Sequence, residues 1–473
     1  MDAADHAALT AAPTDPFTAS PTTPAPAPPT GPRPARQDAV PGEPRATPPA
    51  AAGEPRATSP AAPLAAAPSG PGAEPPAEPP AHPPADQEQA VRHALRELLA
   101  ERAGPDENRA ATATPEGYDT ELWARMSGAL GLAGLTLPEE YGGTGRGPAA
   151  LAAACEETGR TLAPSPLLAT AVLGAPLLAA LGTPEQRADL LPRLADGSLT
   201  CTLAVPGALA LALGLTGDNT AHPWSGDGRA GGIQATRTTD GGWRLYGEAA
   251  QVVDGHSAGL LIVAAHTGGF ARSRTLLFLV RADAAEAPGL VRTRQPALDP
   301  TRTRATVQFR DTGAELLGEE PADVLGALAT AGRAAAVMLA AEAVGAAREA
   351  LDRTAAHAGS REPSGRPAAP APTADHRLAD LYVQVETARS LTHCAAREPG
   401  PGPESGPLAL AHALDALRAT AGESAQPHGG TGPTRDQEAY FHRAASDELL
   451  FGPARRLRAR AAERTGPFGE VAA

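Results

Sequence analysis

The chain has 473 residues, a formal net charge of -14 at pH 7 and only 3% aromatic residues, with 51 prolines and 50 glycines. Its length suffices for two or three domains, but the proline and glycine content indicates that part of it builds no core. All 40 basic residues are arginine, and the acidic balance argues against a nucleic-acid partner, which would need a concentrated basic face.

We find no basic segment followed by an apolar segment at the N-terminus, so no secretory leader is predicted. No run of about 18 apolar residues is found either, so no membrane span is predicted. Cys155, Cys201 and Cys394 lie far apart without C-x-x-C spacing. We therefore expect buried, reduced thiols, no metal site and a cytoplasmic location.

Residues 1–85 consist mainly of Pro, Ala, Thr, Ser and Gly, with Gly42-Glu-Pro-Arg-Ala-Thr47 nearly repeated at Gly53-Glu-Pro-Arg-Ala-Thr58. Too few large apolar side chains are present to offset the entropy of ordering, so the composition predicts a disordered tail with polyproline II character. A proline-reading partner domain is an alternative that composition alone leaves open.

Residues 86–200 have helical periodicity. Asp86 is a candidate N-cap for a first helix that ends near Gly104, and a second helix carries Leu122 to Leu130. Thr183 and Pro184 mark a further helix start. We predict an N-terminal helical domain here.

Residues 201–318 change to short apolar or alternating runs separated by turn residues, which predicts a small β-barrel or sandwich. Asp240-Gly241 fits a hairpin turn. The strand candidates are Gly242–Gly247, Leu260–Ala265, Thr275–Val280 and Ala305–Phe309.

Residues 319–473 return to helical spacing. Four long helices with short or looped connections predict a helical bundle, so the fold class is α+β. The predicted helices cover 324–357, 373–397, 408–422 and 436–462.

A glycine-rich turn, Gln426-Pro-His-Gly-Gly-Thr-Gly432, separates the last two of these helices. Three glycines in four positions let the backbone press against a flat or phosphorylated ligand, and the helix that follows offers free N–H groups to a pyrophosphate. The alternative is an ordinary interhelical loop.

The chain resembles the acyl-CoA dehydrogenase family. The resemblance rests on the glycine turn, on the run Gly131–Gly143 that ends in Pro-Glu-Glu-Tyr-Gly-Gly, and on the helix, barrel and bundle order over residues 86–465. It implies a FAD flavoprotein of fatty acid metabolism, an oxidoreductase that removes an α-proton from an acyl-CoA or acyl-carrier thioester with a carboxylate while hydride leaves for FAD. It also implies an electron-transfer acceptor and an oligomer with flavin at the subunit interface.

The resemblance places cofactor contacts on Arg361, Gln426, Gly429 and Gly430. A guanidinium group suits phosphate oxygens. Ser364 stands where the family usually has phenylalanine, and the alternative for Arg361 is a solvated loop arginine.

The family's flavin-ring contacts are altered. A Thr-Glu-Pro type segment corresponds to Thr202-Leu-Ala-Val-Pro206, and an aromatic and a threonine correspond to Gln251 and Val253. The usual hydroxyl and carboxylate groups are therefore missing.

Both positions at which family members carry the catalytic base are glycine, namely Gly452 and Gly332. Glycine takes no proton, so the catalytic residue is unknown. The substitutes near the glycine turn are Asp436, Glu438, Asp447, Glu448 and His428.

Two functional hypotheses follow. The first is an acyl-CoA dehydrogenase-like oxidoreductase, with a displaced base or with a base from an unlike chain of the same assembly. The second is a non-catalytic subunit that keeps the fold, with or without flavin. A third possibility is an unrelated helical protein in which these motifs occur by coincidence, so that the family's function does not apply to it.

Overall fold

The computed structural model describes residues 85–220, 232–268, 274–282, 287–360, 372–400, 402, 404–424 and 435–465. The predicted tail of residues 1–85 lies almost wholly outside them. The predicted domain boundaries stay predictions, whereas the α+β fold class is confirmed.

The first part of the chain is helical. Its α-helices are α1 (Ala85–Arg102), α2 (Pro105–Thr112), α3 (Thr120–Ala124), α4 (Pro148–Thr161), α5 (Ala175–Leu181) and α6 (Pro184–Ala195). The predicted helix start at Thr183 and Pro184 is present, and the Thr183 side chain caps α6 in a capping box with Gln186. Asp86 lies inside α1 and does not precede it, so the predicted N-cap is wrong. Helix ends shift readily by one or two residues.

A single sheet follows. Its strands are β1 (Cys201–Ala204), β2 (Ile233–Arg237), β3 (Trp243–Val253), β4 (Leu260–Thr267), β5 (Arg274–Arg281), β6 (Leu290–Arg294) and β7 (Arg304–Leu316). The short helix α7 (Leu209–Ala212) follows β1. The order β4-β2-β3-β7-β5 closes on itself because β5 also pairs with β4. The predicted β-barrel is thus present, with β1 and β6 added to it.

Residues 238–242 form the predicted hairpin connection. β2 pairs antiparallel with β3, and Arg237 faces Trp243 across the two strands. Gly241 has φ +89°, the left-handed conformation that the turn requires.

The last part is a helical bundle. Its helices are α8 (Val324–Ser360), α9 (Pro372–Ala396), α10 (Gly406–Ser424), α11 (Arg435–Phe451) and α12 (Ala454–Thr465). The predicted fourth helix is in fact two, because the chain bends at Gly452 (φ +88°) before Pro453. Proline lacks the N–H that a continuing helix would use.

α8 is the central helix of the bundle. Its stretch Val324–Ala356 is long and apolar enough to cross a membrane, but 61% of the most apolar window is buried inside the protein. Packing against α4, α9 and α10 accounts for this apolar surface.

Cys155 and Cys201 are buried free thiols, as predicted. Cys394 is exposed on α9, so the prediction that it is buried is wrong. Helical periodicity correctly placed Cys394 on a helix, but it did not show that this residue lies on the solvent-facing side of that helix.

Candidate active site

All four predicted cofactor residues, Arg361, Gln426, Gly429 and Gly430, lie outside the described residues, as does His428. The helices beside them are described: α8 ends at Ser360 and α11 begins at Arg435. These four contacts therefore stay predictions.

A cavity of about 290 Å³ lies where β1, β3 and α7 meet the corner between α11 and α12. The walls are mostly apolar, and Glu448 and Arg456 are the charged residues among them. The lining residues include Leu203, Val205, Leu209, Val252, Leu449 and Pro453. This is the place at which the resemblance puts the flavin ring and the base.

Two polar side chains at the family's flavin-ring positions are engaged with the protein. The Thr202 hydroxyl donates to the carbonyl oxygen of Val253 over 2.5 Å. Gln251 accepts from Arg304 Nη1 at 2.6 Å and donates to Gln295 Oε1 at 2.8 Å. Val205 and Val253 are apolar and buried. The residues at the family's flavin-ring positions therefore fit a flavin ring poorly, because they offer it no free hydroxyl or carboxylate.

The two base positions lie on different helices. Gly452 borders the cavity at the α11–α12 corner. Gly332 lies in α8 beside Arg333, whose Nε donates to the carbonyl oxygen of Gly402 at 2.8 Å. Neither position carries a proton acceptor.

The four candidate carboxylates lie in three different surroundings. Glu448 borders the cavity and pairs with Arg418 at 3.4 Å. Asp436 and Glu438 instead line a separate cavity. Asp447 is buried in an ion network. Only Glu448 is therefore near the predicted reaction pocket.

The ion network joins the loop before β7 to α8 and α11. Arg443 is 1% exposed and donates to Asp299 Oδ2 at 2.6 Å and to Glu342 Oε1 at 2.8 Å. Arg302 donates to Glu342 Oε2 at 2.6 Å and to Asp447 Oδ1 at 3.2 Å. Every charge has an opposite partner, as buried charges require.

Burial raises the pKa of Asp447, and Arg302 and Arg443 offset this only in part. Burial also pushes the pKa of Asp299 up, but Arg443 outweighs it and holds that pKa below its usual range. The Asp447 carboxylate is paired with Arg302, so its role is structural. The sequence carried no signal for this pair, because Arg302 and Asp447 lie 145 residues apart.

The second cavity, of about 620 Å³, lies between α1, α2, α4, α8 and α11. Its arginines are engaged in ion pairs: Arg109 with Asp436 at 3.2 Å, and Arg160 and Arg353 with Glu349 at 2.9 and 3.0 Å. Among the residues that the structure describes, no group of three or more His, Cys, Asp or Glu is arranged to hold a metal ion.

Two family models match the chain. The "Acyl-CoA dehydrogenase, N-terminal domain" matches residues 85–198, and the "Acyl-CoA dehydrogenase, C-terminal domain" matches residues 329–466. Acyl-CoA dehydrogenase IpdE2 of Mycobacterium tuberculosis is 33% identical over 375 residues, which cover 78% of this chain and 95% of that protein.

Solved structures agree in fold. The Tcur3481-Tcur3483 steroid ACAD is 31% identical with a TM-score of 0.64, covering 80% of this chain and 97% of that chain. The ChsE4-ChsE5 complex of Mycobacterium tuberculosis is 25% identical with a TM-score of 0.66, covering 80% and 98%.

Proposed function

The chain belongs to the acyl-CoA dehydrogenase family and is an acyl-CoA dehydrogenase-like flavoprotein oxidoreductase, and from this premise we propose that another, unlike chain supplies its catalytic base. The observation that carries the proposal is glycine at both base positions, Gly332 and Gly452. Glu448, the nearest substitute, is paired with Arg418.

In the proposed assembly this chain holds FAD from the phosphate side. Arg361 binds the diphosphate, and Gln426, Gly429 and Gly430 present backbone and amide groups to it. The flavin ring lies in the pocket of the other chain, since the walls around Val205 and Val253 here are apolar. Two relatives support an assembly of unlike chains, because one is described as the ChsE4-ChsE5 complex and another as Tcur3481-Tcur3483.

The proposed substrate is an acyl thioester on CoA or on an acyl carrier, and the proposed electron acceptor is a separate electron-transfer protein. One relative is described as a steroid enzyme, so steroid-derived acyl-CoA thioesters belong in the panel of test substrates. The proposed location is the cytoplasm.

Arg361 gives a direct test of FAD binding. In the assembly purified under native conditions from the source cells with a tag on this chain, Arg361→Ala is expected to weaken FAD binding at least tenfold, about 1.4 kcal/mol, because one charge-assisted contact to phosphate is lost. Arg366→Ala, in the same segment, is the matched control and is expected to retain the yellow colour. Equal flavin content in the two variants would contradict the assignment of Arg361.

A second candidate function is a structural subunit without flavin, favoured by the missing hydroxyl and carboxylate in Thr202–Pro206. A native assembly without visible flavin absorbance would select this function over the first.

A further inference from the structure

One short segment lies beside both base positions. It runs from Leu209 to Thr216 and consists of α7 and the residues that follow it. A Cβ atom added to Gly332 would lie under 3.0 Å from the carbonyl oxygen of Leu213, and one added to Gly452 would lie under 3.0 Å from Thr216 Cγ2. Real Cβ atoms essentially never show such separations, so a neighbour must shift: a backbone carbonyl at Gly332, but only a side-chain methyl group at Gly452.

The segment is firmly anchored. Leu213 and Leu215 are fully buried. The backbone N–H of Leu215 donates to the carbonyl oxygen of Ala210 at 2.9 Å. The side chain of Asn219, just beyond the segment, donates to the carbonyl oxygens of Ala212 at 3.0 Å and of Leu325 at 2.9 Å. These contacts fix the segment both to itself and to α8.

We propose that residues 209–216 are an internal plug that closes the base position at Gly332 against any side chain and narrows the one at Gly452. The inference rests on the proposed function, in which the reaction pocket of the assembly lies on another chain. The plug residues are Leu, Ala, Gly and Thr, none of which accepts a proton at neutral pH, so the segment restricts the base positions without replacing the base.

If the segment is packed in this way, a side chain added at position 452 should overlap with Thr216. A double-mutant cycle, read out as Tm of the purified full chain, measures the effect of this overlap. Gly452→Ala brings Cβ onto Thr216 Cγ2 and also strains a residue at φ +88°. Gly241→Ala is the matched control, since Gly241 has φ +89° with nothing within 4 Å of the added Cβ. We expect Gly452→Ala to lower Tm about twice as far as Gly241→Ala.

Thr216→Ser removes only the clashing methyl group. In a Thr216→Ser background, the Tm loss from Gly452→Ala is expected to fall to about that of Gly241→Ala, because the backbone strain remains and the overlap does not. Equal losses from Gly452→Ala and Gly241→Ala in the unmodified chain, or no rescue by Thr216→Ser, would overturn the plug.

Hydrogen–deuterium exchange separates a permanent plug from a mobile lid. In the native assembly, the amides of Leu213, Gly214 and Leu215 are expected to exchange at the same rate with and without FAD and hexanoyl-CoA. A tenfold change in these rates on adding either compound would show that the segment opens and would contradict the plug. Because the Tm cycle uses the chain alone and needs no flavin, failure of the plug is distinguishable from failure of the proposed function.

Discussion

Arg443 illustrates how single residues join the barrel to the bundle. Its guanidinium contacts Asp299 before β7 and Glu342 on α8 while it is 1% exposed. Arg443→Met is expected to lower the free energy of unfolding by about 3 kcal/mol or more, because both carboxylates lose a buried partner. Urea unfolding measures this loss.

The control for Arg443 is Arg125→Met, which breaks a surface pair with Glu101 at 3.3 Å in which both side chains are about half exposed or more. Its expected cost is below about 1 kcal/mol. Equal losses in the two variants would show that the buried network adds nothing beyond a surface pair.

Glu156 on α4 gives a prediction of pH dependence. Burial pushes its pKa up, but hydrogen bonds from His393 and Arg92 outweigh burial and lower its pKa to about 2. A depressed carboxyl pKa stabilises the fold above the unfolded value, and this contribution is lost as the pH falls toward the folded value. Between pH 6 and pH 3 the unmodified protein should lose about 2 kcal/mol more unfolding free energy than Glu156→Gln.

The measurement is urea unfolding at several pH values in that window. Glu101→Gln, which alters an exposed carboxylate, serves as the control and is expected to follow the unmodified protein. Parallel curves for Glu156→Gln and the unmodified protein would mean that the ion pairs of Glu156 do not stabilise the folded state.

At the scale of elements, α4 and α8 touch backbone to backbone. A Cβ added to Gly345 would lie under 3.0 Å from the carbonyl oxygen of Glu156. Gly345→Ala should therefore lower the unfolding free energy by about 2 kcal/mol or more. Gly422→Ala on α10, where an added Cβ meets nothing within 4 Å, should raise it by about 0.5–1 kcal/mol. Thermal or urea unfolding of Gly345→Ala and Gly422→Ala measures both changes. A Gly345→Ala variant more stable than the unmodified protein would contradict the close contact between α4 and α8.

Sequence patterns predicted the helix start at Thr183, because a helix cap is a local signal. They also predicted the strand at Leu260–Ala265, because its continuous apolar run is buried on both faces. They missed the break at Gly452 and took residues 436–462 as one helix. They also missed the plug, since Leu209–Thr216 carries no charged or polar motif beyond one threonine. The segment matters because it lies against Gly332 and Gly452, which are distant from it in the sequence. Local sequence patterns do not encode such long-range contacts.

For the whole molecule, the family fold is confirmed, while the predicted FAD contacts at Arg361 and Gln426 lie outside the described residues. Positions 332 and 452 are glycine, and in the proposed assembly proton abstraction is carried out by another subunit. In the proposed assembly, this chain supplies the fold and the phosphate contacts, and the other chain supplies the base.

The most direct test is an anaerobic visible titration with a panel of acyl-CoA thioesters, including steroid-derived ones. It is done on this chain purified alone with added FAD and on the native assembly from the source cells. We predict that the flavin bleaches only in the native assembly, because in the proposed function only the other chain carries the carboxylate base. Bleaching by the chain alone would contradict the account and show that the chain carries its own base.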